Sequence, residues 1–280
     1  VSRLAADTLL PVDTTLAVAL AVLLIAATAV VAVFRLSPDG SHRRTREILT
    51  AGVRAAAQLA AVSLVVGVAV RHTAALLGFL FLMSAVATRT AGRRITPNHT
   101  WWWAALPIAA PVAPVVVGLV LAGLLTVPGI AIVPVTGILI GGALTATVLA
   151  GRRALDELTQ RHGEVEAGLA LGLPERDARL EVSRGAASDA LLPALDQTRT
   201  VGLVTLPGAF VGMLLAGASP LLAGAVQVFV LIALLAVEAL AVALTVELVA
   251  RRRLHRDAAR EPARRPALRL RPPPFRRTRT

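Results

Sequence analysis

Long apolar runs alternate with short polar links along the chain. Measured against the roughly 20 residues that a bilayer core requires, they predict seven spanning helices, at 14–34, 53–70, 73–88, 101–125, 130–150, 200–218 and 221–249. The second and third runs fall short of that length and read as a tight, tilted pair about Arg71 and His72. Between 151 and 199 the pattern changes. Leu155, Leu158, Val165, Leu169 and Leu173 recur at helical spacing with charges between them, the mark of helices with one apolar face. Gly172 and Pro174 interrupt that pattern. A helix continuing out of the fifth span, a sharp turn and a second helix leading into Pro193 are expected. Pro174 opens the second helix, and Glu175 complements its dipole.

The class is therefore an all-α polytopic membrane protein of about seven transmembrane helices. Its expected divisions are spans one to five in 1–150, a cytoplasmic helical coupling segment in 151–199, spans six and seven in 200–250 and a basic tail in 251–280.

Composition sharpens this picture. The chain has 280 residues, 56% of them hydrophobic but only 3% aromatic, so Ala, Val and Leu supply the apolar bulk. Cysteine is absent, which excludes disulfides, thiolate zinc sites and iron–sulfur clusters. All 29 basic residues are Arg, and the formal net charge is +12. Of these, 27 lie in 35–54, 89–100, 151–199 and the tail, on alternate links of the seven-span order; Arg3 and Arg71 are the exceptions. That asymmetry follows the positive-inside rule and places the N-terminus outside and the C-terminus in the cytoplasm. The basic charge thus follows membrane topology and implies no nucleic-acid partner. The first apolar run lacks a basic leader and a small-residue cleavage site, so it reads as a retained span. The Arg- and Pro-rich tail is expected to be disordered along an anionic leaflet. Trp101, Trp102 and Trp103 follow Arg93 and Arg94 and read as an interfacial anchor, with a ligand-stacking platform as the other reading.

Polar residues inside spans mark candidate sites. Glu238 sits mid-span, where a carboxylate costs about 2.5–3.5 kcal/mol on insertion scales. Two readings stand: a cation or proton contact, or a buried acid hydrogen-bonded to a neighbour. Gln58 and Gln227 read as interhelical hydrogen-bonding groups, with a pathway role for Gln227 as the alternative. Gly137 and Gly141, and Gly208 and Gly212, have the small-residue spacing that lets helices approach closely. Pro207 and Gly208 break the sixth run near its middle, making Thr205, Pro207, Gly208 and Gly212 a candidate hinge joined to the cytoplasmic segment at Asp196. The five histidines, at 42, 72, 99, 162 and 255, fall in links or the tail without ligand spacing, so no fixed metal site is expected.

EAGLALG (166–172) resembles the cytoplasmic EAA-x-x-x-G motif of ABC importer permeases through Glu166, Ala167, Gly168 and Gly172. The importer pattern expects Leu-Pro where Arg184-Gly185 stand; Leu192-Pro193 come later. Taken with Leu171-Gly172-Leu173-Pro174, Leu191-Leu192-Pro193, Asp196, Thr200 to Gly208, and Ala216-Gly217 with Pro220, the chain resembles the FetB-type iron-export ABC transporter permease family, which includes plant aluminium-resistance permeases. The resemblance covers about 166–227 in detail; Ala209-Phe210, Glu238 and the long tail depart from it. It implies an iron-exporting permease without catalytic residues, working as a homodimer in the inner or plasma membrane. The 151–199 segment, with Pro174 at its turn, would dock on an ATPase. No Walker A pattern is present and the chain has no Lys, so ATP and Mg would be held by that separate ATPase chain, and this chain would bind no cofactor. The alternatives are a permease for a nucleotide sugar or other solute, a proton-coupled secondary transporter using Glu238, and a membrane scaffold.

Overall fold

The computed structural model describes residues 14–36, 43–69, 71–123, 125 and 131–257. The N-terminal segment, His42 and the tail from residue 258 on lie outside the described residues. The elements are α1 (Thr14–Val33), α2 (Arg43–Ala69), α3 (Thr73–Ile95), a 3-10 turn (His99–Ala104), α4 (Ala105–Leu121), α5 (Ile132–Gln160), α6 (His162–Ala170), α7 (Glu175–Ser188), a second 3-10 turn (Asp189–Leu191), α8 (Leu192–Thr200), α9 (Gly208–Leu215) and α10 (Pro220–Ala250). Six helical stretches among the described residues are long and apolar enough to cross a membrane: α1, α2, α3, the first 3-10 turn with α4, α5 and α10.

The core forms where α5 and α10 pack side by side, flanked by α3, α4 and α7. Small residues of α5 meet a face of α10 built mostly from Val and Leu. Ala143, Ala146, Ala150 and Ala154 of α5 and Ala241 of α10 are fully buried. Small side chains let backbones approach closely, which matters where lipid removes the usual hydrophobic drive for association. By contrast, α1 buries no residue and packs on α2, and its exposed Val, Leu and Ile side chains suit a lipid-facing surface.

One end of the bundle gathers the arginine-rich termini. Arg256 donates to the carbonyl of Ile95 at 2.9 Å and pairs with Asp156, so the ends of α3, α5 and α10 meet at one level. The hydroxyl of Thr96 and the amide of Asn98 both donate to the His255 carbonyl, at 2.9 and 2.8 Å. Residues 251–257 are thus folded back onto the bundle, with Leu254 fully buried, rather than opening a disordered tail. The Trp triplet belongs to the same joint. Arg93 lies over Trp101 at 5.4 Å and Arg253 over Trp103 at 5.3 Å. Gly92 is obligatory there, since a Cβ on it would lie 2.1 Å from the Trp101 carbonyl oxygen.

Three of the expected spans differ. α2 and α3 are longer than their apolar runs, because helical hydrogen bonding includes the polar residues before the second run, Arg44 among them, and those after the third, Arg89 and Arg93 among them. The stretch 200–218 is not one spanning helix. α8 ends at Thr200, Gly202 takes a positive φ of 83°, and Val201 bridges Thr205. Pro207, lacking an N–H, stands at the N-cap of α9 and starts a new helix, so of the kink or break expected at Pro207-Gly208 the structure has a full break. The segment still travels far. Asp189, just before α8, pairs with Arg153 of α5 at 2.6 Å, whereas α9 leads through the Gly217 turn to the opposite end of α10. At 1.5 Å per residue α10 is about 46 Å long. Residues 192–219 therefore run back along it as helix, break and helix.

Candidate functional site

The sequence-derived residues fall into three groups. The first is a helical hairpin built from α6 and α7. Arg161 closes α5 and hydrogen-bonds Glu164 and Glu157. Its hydrogen bond holds the Glu164 carboxyl below the usual carboxylate range, and the same two acids raise the Arg161 guanidinium further. Glu166 is exposed beside His162 at 3.3 Å, and Ala167 is exposed. Gly168 allows the crossing of α6 and α7, because its Cβ position lies 3.1 Å from the Ala178 Cβ. Gly172 turns the chain with a φ of 88° while the Leu173 N–H reaches back to the Gly168 carbonyl at 3.0 Å, a glycine-dependent helix stop. Pro174 then caps α7, its carbonyl accepting from Asp177 and Ala178. The tip is apolar and uncovered. Leu171 is 85% exposed, with Leu169 and Leu173 near half.

Behind the tip, α7 is fastened to the membrane helices. Ala178, Val182, Ser183 and Ala187 are buried against the bundle. Arg176 grips Glu247 of α10 through two nitrogens, and Glu247 also accepts from Arg251. Those acids raise the Arg176 guanidinium, Glu247 first and Asp177 second. Arg179 donates to the Val249 carbonyl at 3.2 Å, while its Nε is buried without a partner; burial and then the nearby Arg252 lower its pKa.

The second group lies along the broken crossing. Asp196 is exposed and loosely paired with Arg199 at 3.7 Å. The Thr200 carbonyl accepts from Val204 at 2.9 Å and Thr205 at 3.3 Å, closing the turn. Leu203, Val204 and Leu206 are 91%, 78% and 62% exposed, so this turn presents apolar side chains outward. Gly208 and Gly212 face open space, with no atom within 4 Å of a Cβ added at either.

The third group is on the buried face of α10. Glu238 is 7% exposed and faces Gly142 of α5; a Cβ there would lie 2.6 Å from its Oε1. No hydrogen bond or ion pair to Glu238 occurs among the described residues. Gln227 is equally buried, and its Oε1 has no partner. The buried hydroxyls of Thr136 and Thr147 on α5 are likewise unpartnered. No hydrogen bond or ion pair joins the three groups among the described residues. Sequence reasoning missed Gly142 and the Arg176–Glu247 pair. The i,i+4 spacing of Glu247 and Arg251 was readable, but a partner 71 positions away carries no local signal.

A family model described as an uncharacterised protein family (UPF0014) matches residues 15–254. The chain is 34% identical over 221 residues to the UPF0014 membrane protein STAR2 of Oryza sativa subsp. japonica, covering 74% of each protein. It is 37% identical over 158 residues to Protein ALUMINUM SENSITIVE 3 of Arabidopsis thaliana, covering 56% of this chain and 57% of that protein. Similarity to the probable iron export permease protein FetB of Escherichia coli is 30% over 122 residues, covering 44% of this chain and 47% of that one. The chain thus spans about half the length of the last two relatives. No solved structure matches it.

Proposed function

From the premise that the chain belongs to the UPF0014 family of membrane proteins, we propose that it is the membrane-spanning subunit of an ATP-driven transporter, exporting iron or a related cytosolic solute. The relative named as a probable iron export permease supports the permease reading and suggests the cargo. The observation that carries the ATP-driven part is the uncovered leucine tip of the α6–α7 hairpin. An apolar tip at the arginine-rich end of the bundle gains by burial against a partner, and α7 behind it is locked to α5 and α10. Motion of a docked ATPase would therefore reach the membrane helices directly. Glu166, Ala167, Gly168, Gly172 and Pro174 shape that docking element. ATP and Mg would reside on the ATPase, and two copies of this chain would form the pathway.

The broken crossing supports a moving part. Discontinuous helices in transporters place irregular backbone where protein or an aqueous cavity covers it. The outward-facing Leu203, Val204 and Leu206, with Gly208 and Gly212 beside them, fit contact with the second copy.

The test is flux in sealed vesicles holding the chain with its ATPase, screening divalent metals and nucleotide sugars. ATP-dependent movement of a metal supports the reading in full. Movement of a nucleotide sugar alone would overturn the cargo. Flux driven by a proton gradient without any bound ATPase would overturn the ATP-driven reading.

A further inference from the structure

The arginine-rich parts of α2, α3 and α5 stand apart around a cavity of about 1200 Å³. Arg44 and Arg54 of α2, Arg93 and Arg94 of α3 and Arg152 of α5 line it, against Glu47 as the carboxylate among the described lining residues. Two of these arginines are engaged: Arg44 pairs with Glu47 at 3.2 Å, and Arg93 donates to the Pro97 carbonyl at 2.8 Å. Arg54, Arg94 and Arg152 have neither a hydrogen bond nor an ion pair among the described residues. Three unpaired guanidinium groups thus share one concave site, where a phosphate offers the oxygens that their planar forks bind best.

The cavity does not end at the charged level. Gln58, Val86 and Thr90 also border a second space of about 810 Å³ that continues between α2 and the α3–α5 pair. Its walls are hydrocarbon, including Val62, Val66, Phe79, Met83 and Ile140. Gly141 keeps its back wall open, since nothing lies within 4 Å of a Cβ added there. A charged mouth leading into an apolar groove matches a molecule with an anionic head and a hydrocarbon tail. Basic pockets between transmembrane helices at headgroup level bind lipid phosphates in this way.

We infer that the gap between α2, α3 and α5 is a binding site for one anionic phospholipid, its phosphodiester held by Arg54, Arg94 and Arg152 and an acyl chain lying in the groove. The membrane supplies this occupant at the required level. A soluble anion would satisfy the arginines and leave the groove unfilled.

The test is native mass spectrometry of the purified full chain titrated with phosphatidylglycerol or phosphatidylcholine. Phosphatidylglycerol is expected to bind about tenfold more tightly. Replacing Arg54→Gln, Arg94→Gln and Arg152→Gln together removes about tenfold of that affinity, while Arg46→Gln, Arg71→Gln and Arg184→Gln together change it less than about twofold. Gly141→Phe, which fills the groove, weakens phosphatidylglycerol binding but leaves inorganic phosphate binding unchanged. Equal losses in the two arginine sets would reduce the effect to bulk charge and overturn the site. Full displacement by millimolar inorganic phosphate, with Gly141→Phe silent, would make it a soluble-anion site instead. Cross-linking that places a second copy in the groove would also overturn it. If the triple variant does not fold, Gly141→Phe and phosphate competition decide the matter alone.

Discussion

Nε and Nη2 of Arg176 donate to the two carboxylate oxygens of Glu247 at 2.8 and 2.7 Å, tying the first turn of α7 to the last turn of α10. A two-point fork fixes direction as well as distance, so this pair resists rotation of the α6–α7 hairpin against the bundle. Both side chains are partly exposed, 43% and 28%, and such a pair contributes at most about 1 kcal/mol to stability. Its effect should appear in coupling. Arg176→Ala is expected to cut ATP-coupled flux about tenfold, ~1.4 kcal/mol in rate, with little change in melting temperature and with ATP hydrolysis continuing. Parallel flux and hydrolysis measurements check this; equal loss of both would point to failed docking instead.

Leu171→Asp tests the uncovered tip. Burying a leucine is worth about 2 kcal/mol, so its loss should weaken ATPase association about 30-fold. The side chain is 85% exposed, so folding should be untouched. Titration of the ATPase against the wild-type and variant chains measures the effect. Unchanged affinity would remove the tip from the interface.

Gly92→Ala should be among the most damaging small changes in the chain. Its methyl group would meet the Trp101 backbone oxygen at 2.1 Å. Backbone moves less easily than a side chain, so a loss of about 3 kcal/mol is expected, the upper range for overpacking. Gly208→Ala meets nothing and is the control in thermal unfolding.

Glu238→Gln separates function from packing. It keeps the shape beside Gly142 and removes the ionisable carboxyl. If the carboxylate contacts a moving cation, flux falls about tenfold or more at unchanged expression, consistent with the cost of a mid-membrane acid retained for use. Equal flux in Glu238→Gln and wild type would leave Glu238 a packing residue.

The hairpin base makes a pH prediction. Arg161 lowers the Glu164 carboxyl below its ordinary value, so the folded state binds that proton less readily than the unfolded chain. The resulting stabilisation is fully present above the ordinary carboxylate pKa, about 4.3, and is lost as pH falls through the lowered folded value. Hydrogen exchange at the start of α6 should therefore be protected alike from neutral pH down to mild acid and loosen only below that. Glu164→Gln should remove the acid-dependent step.

Much of the fold was legible because lipid constrains it. Apolar length locates the six helical stretches long and apolar enough to cross a membrane among the described residues, and Gly172-Leu173-Pro174 marks the hairpin turn from backbone preference alone. The sixth run misled because hydropathy records solvent and not hydrogen bonding. Gly202 and Pro207 sit in TVGLVTLPG as apolar-compatible residues, yet together they stop one helix and start another. The sites were legible only where local. Glu238 stood out by its charge, but Gly142, which makes room for it, looked like any other glycine in an alanine-rich helix. Likewise, the three unpaired arginines of the α2–α3–α5 gap come from separate segments, and only folding brings them to one cavity.

α5 runs unbroken from Ile132 to Gln160, from deep in the bundle to the base of the hairpin. Its 29 residues make a rod of about 43 Å at 1.5 Å per residue. Such a rod is a lever. Tilting it by about 10° at the hairpin end carries the far end sideways by about 7 Å, more than one helical turn of rise. If the hairpin docks a partner as proposed, a displacement small enough to leave that interface intact would be magnified into one large enough to open or close a passage for a hydrated ion.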